Sequence, residues 1–184
     1  MNHRILSLLD PITNFESIET KFSSGIRSSE FSQLLDLFKF HTSIFVIANG
    51  GLHYVASHMA TDISRLVPDK FCYSFDSFGF ITSSANDYGF DQIFSRWIEL
   101  CVPKQQKSLL LGLSCSGSSR NIINAFDYAS SLGWNAFMVS GKPPTTHNYP
   151  TLCFNAKHYH TVETLSLMLF YEIIHQLGYE CPEI

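Results

Sequence analysis

Ser108-Leu-Leu-Leu-Gly-Leu-Ser-Cys-Ser-Gly-Ser-Ser-Arg-Asn121 runs from an apolar stretch through a hydroxyl-rich glycine turn into the start of a helix. The apolar run of five residues up to Leu113 has the length of a buried strand, and it brings the chain to the carboxyl edge of a sheet. There Ser114, Ser116, Ser118 and Ser119 crowd around Gly117, which lets the backbone bend sharply. If a helix follows, its first N–H groups and the positive end of its dipole face the same point. Hydroxyls and backbone donors together can hold a phosphate monoester without a lysine or a metal. The same residues would also make a plain turn with an N-cap for a helix starting near Ser119.

Composition permits one globular unit, 1–184, because a chain of 184 residues with 45% hydrophobic and 15% charged residues can bury one sizeable core. A formal charge of −4 and a pI near 6.0 argue against a nucleic-acid-coating protein, which needs a basic face. The five cysteines (Cys72, Cys101, Cys115, Cys153, Cys181) are odd in number and lack C-x-x-C spacing. They indicate neither a disulfide framework nor a zinc knuckle, and a reducing cytoplasm fits them best. There is no secretion signal at the start, and no apolar run approaches the roughly 20 residues that cross a bilayer. The expectation is a cytoplasmic protein with no membrane and no nucleic-acid partner.

Strand-like apolar runs alternate with segments of helical period, the pattern of a parallel sheet wrapped by helices. The opening 25 residues carry a short helix at Ile5 to Leu9, a break at Pro11 and a polar stretch through Ser24. Ser28-Ser-Glu is a cap-like signal, followed by an apolar helical face from Phe31 to about Phe40. Strands are expected over 42–48, 70–75, after Trp134 up to Gly141, and over 151–155; helices over 53–66, 88–100 and 161–177. Asn49-Gly50-Gly51 turns the chain after the first strand, and Ser114 to Ser119 turns it after the strand ending at Leu113. In an open parallel sheet, ligands collect outside the carboxyl ends of strands whose connections diverge, so the two loops could converge on one ligand.

Three segments, Ile-Ala-Asn-Gly-Gly-Leu-His (47 to 53), Ala-Asn-Asp-Tyr-Gly-Phe-Asp-Gln-Ile-Phe-Ser-Arg (85 to 96) and Gly-Leu-Ser-Cys-Ser-Gly-Ser-Ser (112 to 119), in that order and spacing, resemble the sugar isomerase (SIS) domain family, bacterial phosphoheptose isomerases most of all. The likeness covers roughly Phe31 to Leu177. It implies an α/β fold, a three-layer αβα sandwich around a five-stranded parallel sheet, with residues 1–40 as a helical N-terminal arm and 41–184 as the core. It also implies a homotetramer with active sites formed between subunits. The implied reaction is a ketose–aldose isomerisation of sedoheptulose 7-phosphate, on the way to lipopolysaccharide or capsule heptose. By the resemblance, Ser114, Ser116 and Ser119 bind phosphate, Asn49 and Gly50 belong to the first substrate loop, and Asp87 lies at the sugar end. His58 matches a helix histidine, and Asp62 stands where the family has its catalytic glutamate.

His58 and Asp62 are four residues apart, so on a helix they share a face and suit either a hydrogen-bonded catalytic pair, a metal, or a simple surface contact. Asp87 suits the sugar end of a pocket or the cap of a following helix. The departures from the family are equally informative. Leu52 replaces a phosphate-binding serine, and Asp62 is one methylene shorter than glutamate. Matching Glu163 to the family's last-helix Gln-Glu pair leaves Phe170 or Tyr171 where a histidine serves as acid or base and, in some members, as a zinc ligand. Substitutes could come from His160 and Glu163, and His58, Asp62, His160 and Glu163 together have zinc-ligand types, although surface histidines and a helix-start glutamate read equally well. His175, late on the last helix, suits packing or the dipole of its C-terminus. The expected function is a phosphosugar isomerase that requires no cofactor, with zinc as an option, Asp62 as base and His160 or Glu163 as a relocated acid. The alternative is a non-catalytic sugar-phosphate-binding SIS protein acting as regulator or scaffold, similar to the one that associates with the bacterial replication initiator.

Overall fold

The computed structural model describes residues 17–102 and 107–183; the expected helix at Ile5 to Leu9 and the break at Pro11 lie outside them. The described elements run α1 (Ile18–Ile26), α2 (Ser29–Phe40), β1 (Ser43–Ala48), α3 (Gly51–Leu66), β2 (Phe71–Ser74), α4 (Phe78–Tyr88), a single 3-10 turn (Phe90–Gln92), α5 (Ile93–Cys101), β3 (Leu109–Ser114), α6 (Arg120–Ser131), β4 (Asn135–Ser140), β5 (Thr151–Cys153) and α7 (Tyr159–Gln176). All four strand pairings are parallel, in the order β2-β1-β3-β4-β5.

Side chains of the central strands alternate between two cores, as the two-residue period of a strand requires. Ile44, Val46, Leu109, Leu111 and Leu113 pack with α2, α3 and α7 on one face. Phe45, Ile47 and Leu110 pack with α5 and α6 on the other. Helices thus cover both faces, which produces the three layers and explains why β1 and β3 are buried throughout and mostly apolar.

The chain leaves β1 through α3 toward β2, then crosses back by way of α4 and α5 to enter β3 on the other side of β1. From β3 it continues through α6 away from β1. Right-handed crossovers put α3 and α6 on opposite faces. The ends of β1 and β3, paired in register at Ala48 and Leu113, therefore open into a crevice between diverging connections.

The polar stretch through Ser24 is helical from Ile18 onward, as α1. The helix expected over 88–100 begins only at Ile93, as α5, and the segment before it, for which the sequence suggests no element, forms the helix α4. Ser77 caps α4 by accepting the Phe80 N–H, and the helix ends at Gly89. Glycine, serine and threonine within 78–84 hide its period from the sequence. Ser28 caps α2 as expected, accepting the Phe31 N–H at 3.1 Å.

Gly112 is the point where α6 meets the sheet: a β-carbon there would lie 2.6 Å from Ile122 Cγ2 and 2.7 Å from Phe126 Cζ. Its missing side chain lets α6 lie close on β3, and so sets where the helix begins. Gly112→Val should therefore destabilise the protein by about 1–3 kcal/mol through overpacking, read as a lower urea midpoint; an unchanged midpoint would contradict this packing.

Candidate functional site

Ser114 ends β3 with its hydroxyl inside the fold, and Ser119 stands directly before α6. Their Oγ atoms are 2.8 Å apart, and Ser116 Oγ lies 3.4 Å from Ser114 Oγ. Ser119 is the N-cap residue of α6, yet its side chain makes no capping bond. The simple turn-and-cap reading therefore does not use its hydroxyl, which turns into the crevice. Ser118 does not line the cleft; its N–H and Oγ both donate to Ser116 Oγ, at 3.2 and 3.1 Å.

The β1 loop meets this turn through two side-chain amides. Asn49 Nδ2 donates to Asn121 Oδ1 at 3.0 Å, and Asn121 Nδ2 donates back to Asn49 Oδ1 at 2.9 Å. Asn121 is buried on the first turn of α6, so this reciprocal pair ties the two loops together. It was missed in the sequence, where an Asn after Ser-Ser-Arg has no distinctive mark. Leu52, on the first turn of α3, has its side chain in the core.

Between the loops lies a cleft of about 260 Å³ lined by Asn49, Gly50, Gly51, the three serines 114, 116 and 119, and Glu163. Glu163, on α7, places its carboxylate against Gly51 in the space a β-carbon would take, so a side chain there would displace the carboxylate. The carboxylate lies at the N-terminus of α3, where the helix dipole favours a negative charge. The cleft thus has a donor-rich end at the start of α6 and a carboxylate at the start of α3. An anion and a proton-transferring group can face one small molecule from these two ends.

The four candidate metal or acid–base residues do not gather. Eleven residues of helix separate Gly51 from Asp62, about 16 Å of rise, so Glu163 and Asp62 sit at different levels of the parallel helices α3 and α7. His160 does not line the serine cleft; its ring stacks on His158, 5.4 Å away. Among the described residues no three His, Cys, Asp or Glu side chains form a metal-binding group. Within one protomer, His58, Asp62, His160 and Glu163 therefore do not make up a single zinc site among the described residues.

Asp62 is instead the centre of a second cluster. It is buried, with Oδ1 accepting from Arg65 Nη2 at 3.0 Å and Oδ2 accepting from the Tyr171 hydroxyl at 3.2 Å. His58 Nε2 lies 3.1 Å from the same hydroxyl and 3.6 Å from Oδ2. Phe170 is buried in the core, whereas Tyr171, the other of the two positions considered for a last-helix histidine, reaches the Asp62 cluster through its hydroxyl. Partial burial and the Asp62 hydrogen bond hold the Tyr171 phenol above its ordinary pKa, so it is a protonated donor at neutral pH.

Asp87 is exposed in the last turn of α4, where Asn86 Nδ2 donates to its Oδ1 at 2.8 Å. It neither lines the serine cleft nor caps a following helix. His175 is exposed in the last turn of α7, as its sequence position suggested.

No protein-family model matches the chain. Among curated proteins it is 31% identical over 136 residues to the phosphoheptose isomerase of Histophilus somni (strain 2336), covering 69% of each chain. Among solved structures, the phosphoheptose isomerase of Neisseria gonorrhoeae superposes with a TM-score of 0.73 at 18% identity, over 88% of this chain and 91% of that one. That of Francisella tularensis gives 0.70 at 19% identity, over 86% and 91%. The fold is that of the SIS sugar isomerases. The chain belongs to the phosphoheptose isomerase family.

Cys115 sits between Ser114 and Ser116 and reports on the site. Burial, and then the Glu163 charge, push its thiol up to about 11, so at pH 8 about one molecule in a thousand is thiolate. Iodoacetamide at pH 8 should label exposed Cys181 far ahead of Cys115, and labelling of Cys115 should rise with pH toward 11. Glu163→Gln removes the second cause and should speed Cys115 labelling at fixed pH. Equal rates at Cys115 and Cys181 would contradict the arrangement.

Proposed function

We propose that the protein is a ketose–aldose isomerase of a phosphorylated sugar, with sedoheptulose 7-phosphate as the first candidate. The observation that carries this reading is the cleft with serine hydroxyls and a helix N-terminus at one end and the Glu163 carboxylate at the other. The naming of its relatives as phosphoheptose isomerases supports the same substrate class and does not favour a purely scaffolding role.

The isomerisation needs a base to remove a proton from the carbon beside the carbonyl, an acid to protonate oxygen, and donors for the developing enediolate. Ser114, Ser116, Ser119 and the first N–H groups of α6 hold the phosphate. Glu163 meets the sugar within the cleft as one acid–base group. Asp62, with His58 and Tyr171, is the other, contributed by a neighbouring protomer of a homotetramer; its distance along α3 from the cleft supports that division. Tyr171 supplies a phenolic proton where the family carries histidine, and the chemistry requires no metal. Free thiols at Cys72, Cys115, Cys153 and Cys181 support a cytoplasmic setting.

Incubating sedoheptulose 7-phosphate with the protein in D2O tests this by NMR. Product should form with deuterium entering at the carbon beside the carbonyl, at a rate unchanged by a chelator. Asp62→Ala and Glu163→Gln should each lower kcat about a hundredfold or more. The two variants refolded together should regain activity, because each supplies the group the other lacks. Binding with no exchange at that carbon would overturn the isomerase reading, and no regain in the mixture would overturn the shared site.

A further inference from the structure

The serine turn is held from behind by the loop joining β4 to β5. Gly117, at φ +66°, donates its N–H to the Ser114 carbonyl at 3.2 Å. Its own carbonyl lies 3.0 Å from His147 Nε2, and His147 Nδ1 lies 3.1 Å from the Tyr149 backbone nitrogen. A backbone N–H can only donate, so Nδ1 is the acceptor and Nε2 carries the proton that Gly117 accepts. Tyr149 anchors this arrangement to α6. Its hydroxyl donates to Asp127 Oδ1 at 2.6 Å, and its ring meets Phe126 edge-on at 5.0 Å. His147 therefore spans from the body of α6 back to the turn that precedes it.

The bond to His147 fixes the orientation of one peptide. In a trans peptide the carbonyl and the following N–H point in opposite directions. Drawing the Gly117 carbonyl toward His147 turns the Ser118 N–H the other way, and there it donates to Ser116 Oγ at 3.2 Å. A glycine at positive φ offers little steric resistance to rotation of the peptide beside it. A rotated 117–118 peptide would aim a carbonyl oxygen at the place where hydroxyls and N–H groups gather for an anion, and that oxygen would repel phosphate.

We propose that His147 is a positioning residue that locks the 117–118 peptide with its N–H toward the serines, and thereby sets the affinity of the loop for a phosphate group. This inference rests on the sugar-phosphate reading and deepens it. His147 lies outside the three segments that carried the family resemblance, and nothing in its sequence context marks it.

Calorimetry with inorganic phosphate and with sedoheptulose 7-phosphate, together with steady-state kinetics, tests the lock in two variants. His147→Phe keeps a ring against Tyr149 but has no N–H; His147→Gln returns an N–H at similar reach. The phenylalanine variant should bind both ligands about tenfold more weakly and raise KM while leaving kcat within about twofold. The glutamine variant should recover to within about threefold of wild type. Wild-type affinity in the phenylalanine variant, or equal weakness in both variants with the fold intact, would overturn the lock. If His147→Phe fails to fold, long-range 1H–15N spectra of the wild-type imidazole decide: a proton on Nε2 supports the lock, and a proton on Nδ1 or an averaging ring overturns it. Wild-type protein that binds neither ligand would overturn the sugar-phosphate reading itself, whereas normal wild-type binding with an unaffected phenylalanine variant overturns only the role of His147.

Discussion

The close seating of α6 on β3, possible only because Gly112 has no side chain, is the constraint on which the rest of the carboxyl edge depends. It brings the first turn of α6 down to the end of β3, so that Ser119 meets Ser114 and Asn121 reaches across to Asn49. The strand order then supplies the opening. Because α3 departs from β1 toward one edge and α6 departs from β3 toward the other, the space between their starts is not filled by a connection. Two helix N-termini flank that space, and each is matched differently: the α6 end gathers hydroxyls, while the α3 end already faces the Glu163 carboxylate.

The polar side chains of α3 and α7 are thereby divided between two levels. Near the sheet edge, Glu163 belongs to the serine cleft; farther along, Asp62 is held by Arg65 and Tyr171 with His58 beside them. Tyrosine at 171 changes what the second level can do. A phenol whose proton is held tightly donates to the carboxylate, so the pair keeps a defined geometry around a buried charge.

Much of this was legible in the sequence, and the failures have physical reasons. The strand–turn–helix at 108–121 and the loop at 49–51 were readable because glycine and serine punctuate apolar runs of strand length. The Ser28 cap and the apolar face of α2 were readable for the same local reasons. Helix α4 was not, since serines, threonine and glycine blur its period and its burial is slight: Ser84 is its only buried residue. The four-residue cluster proposed around His58 and Glu163 failed because spacing on each helix says nothing of the level at which two helices meet. Tyr171 and Asn121 find their roles only through partners more than seventy residues away.

The anion seat at Ser114, Ser116 and Ser119 is the claim on which every functional statement stands, and the affinity ratio between sedoheptulose 7-phosphate and unphosphorylated sedoheptulose measures it most directly. Calorimetry of both sugars on the same protein should show the phosphate ester binding about a hundredfold or more tighter, an advantage of at least about 2.7 kcal/mol. Equal affinity for the two sugars would contradict the seat and the reading built on it.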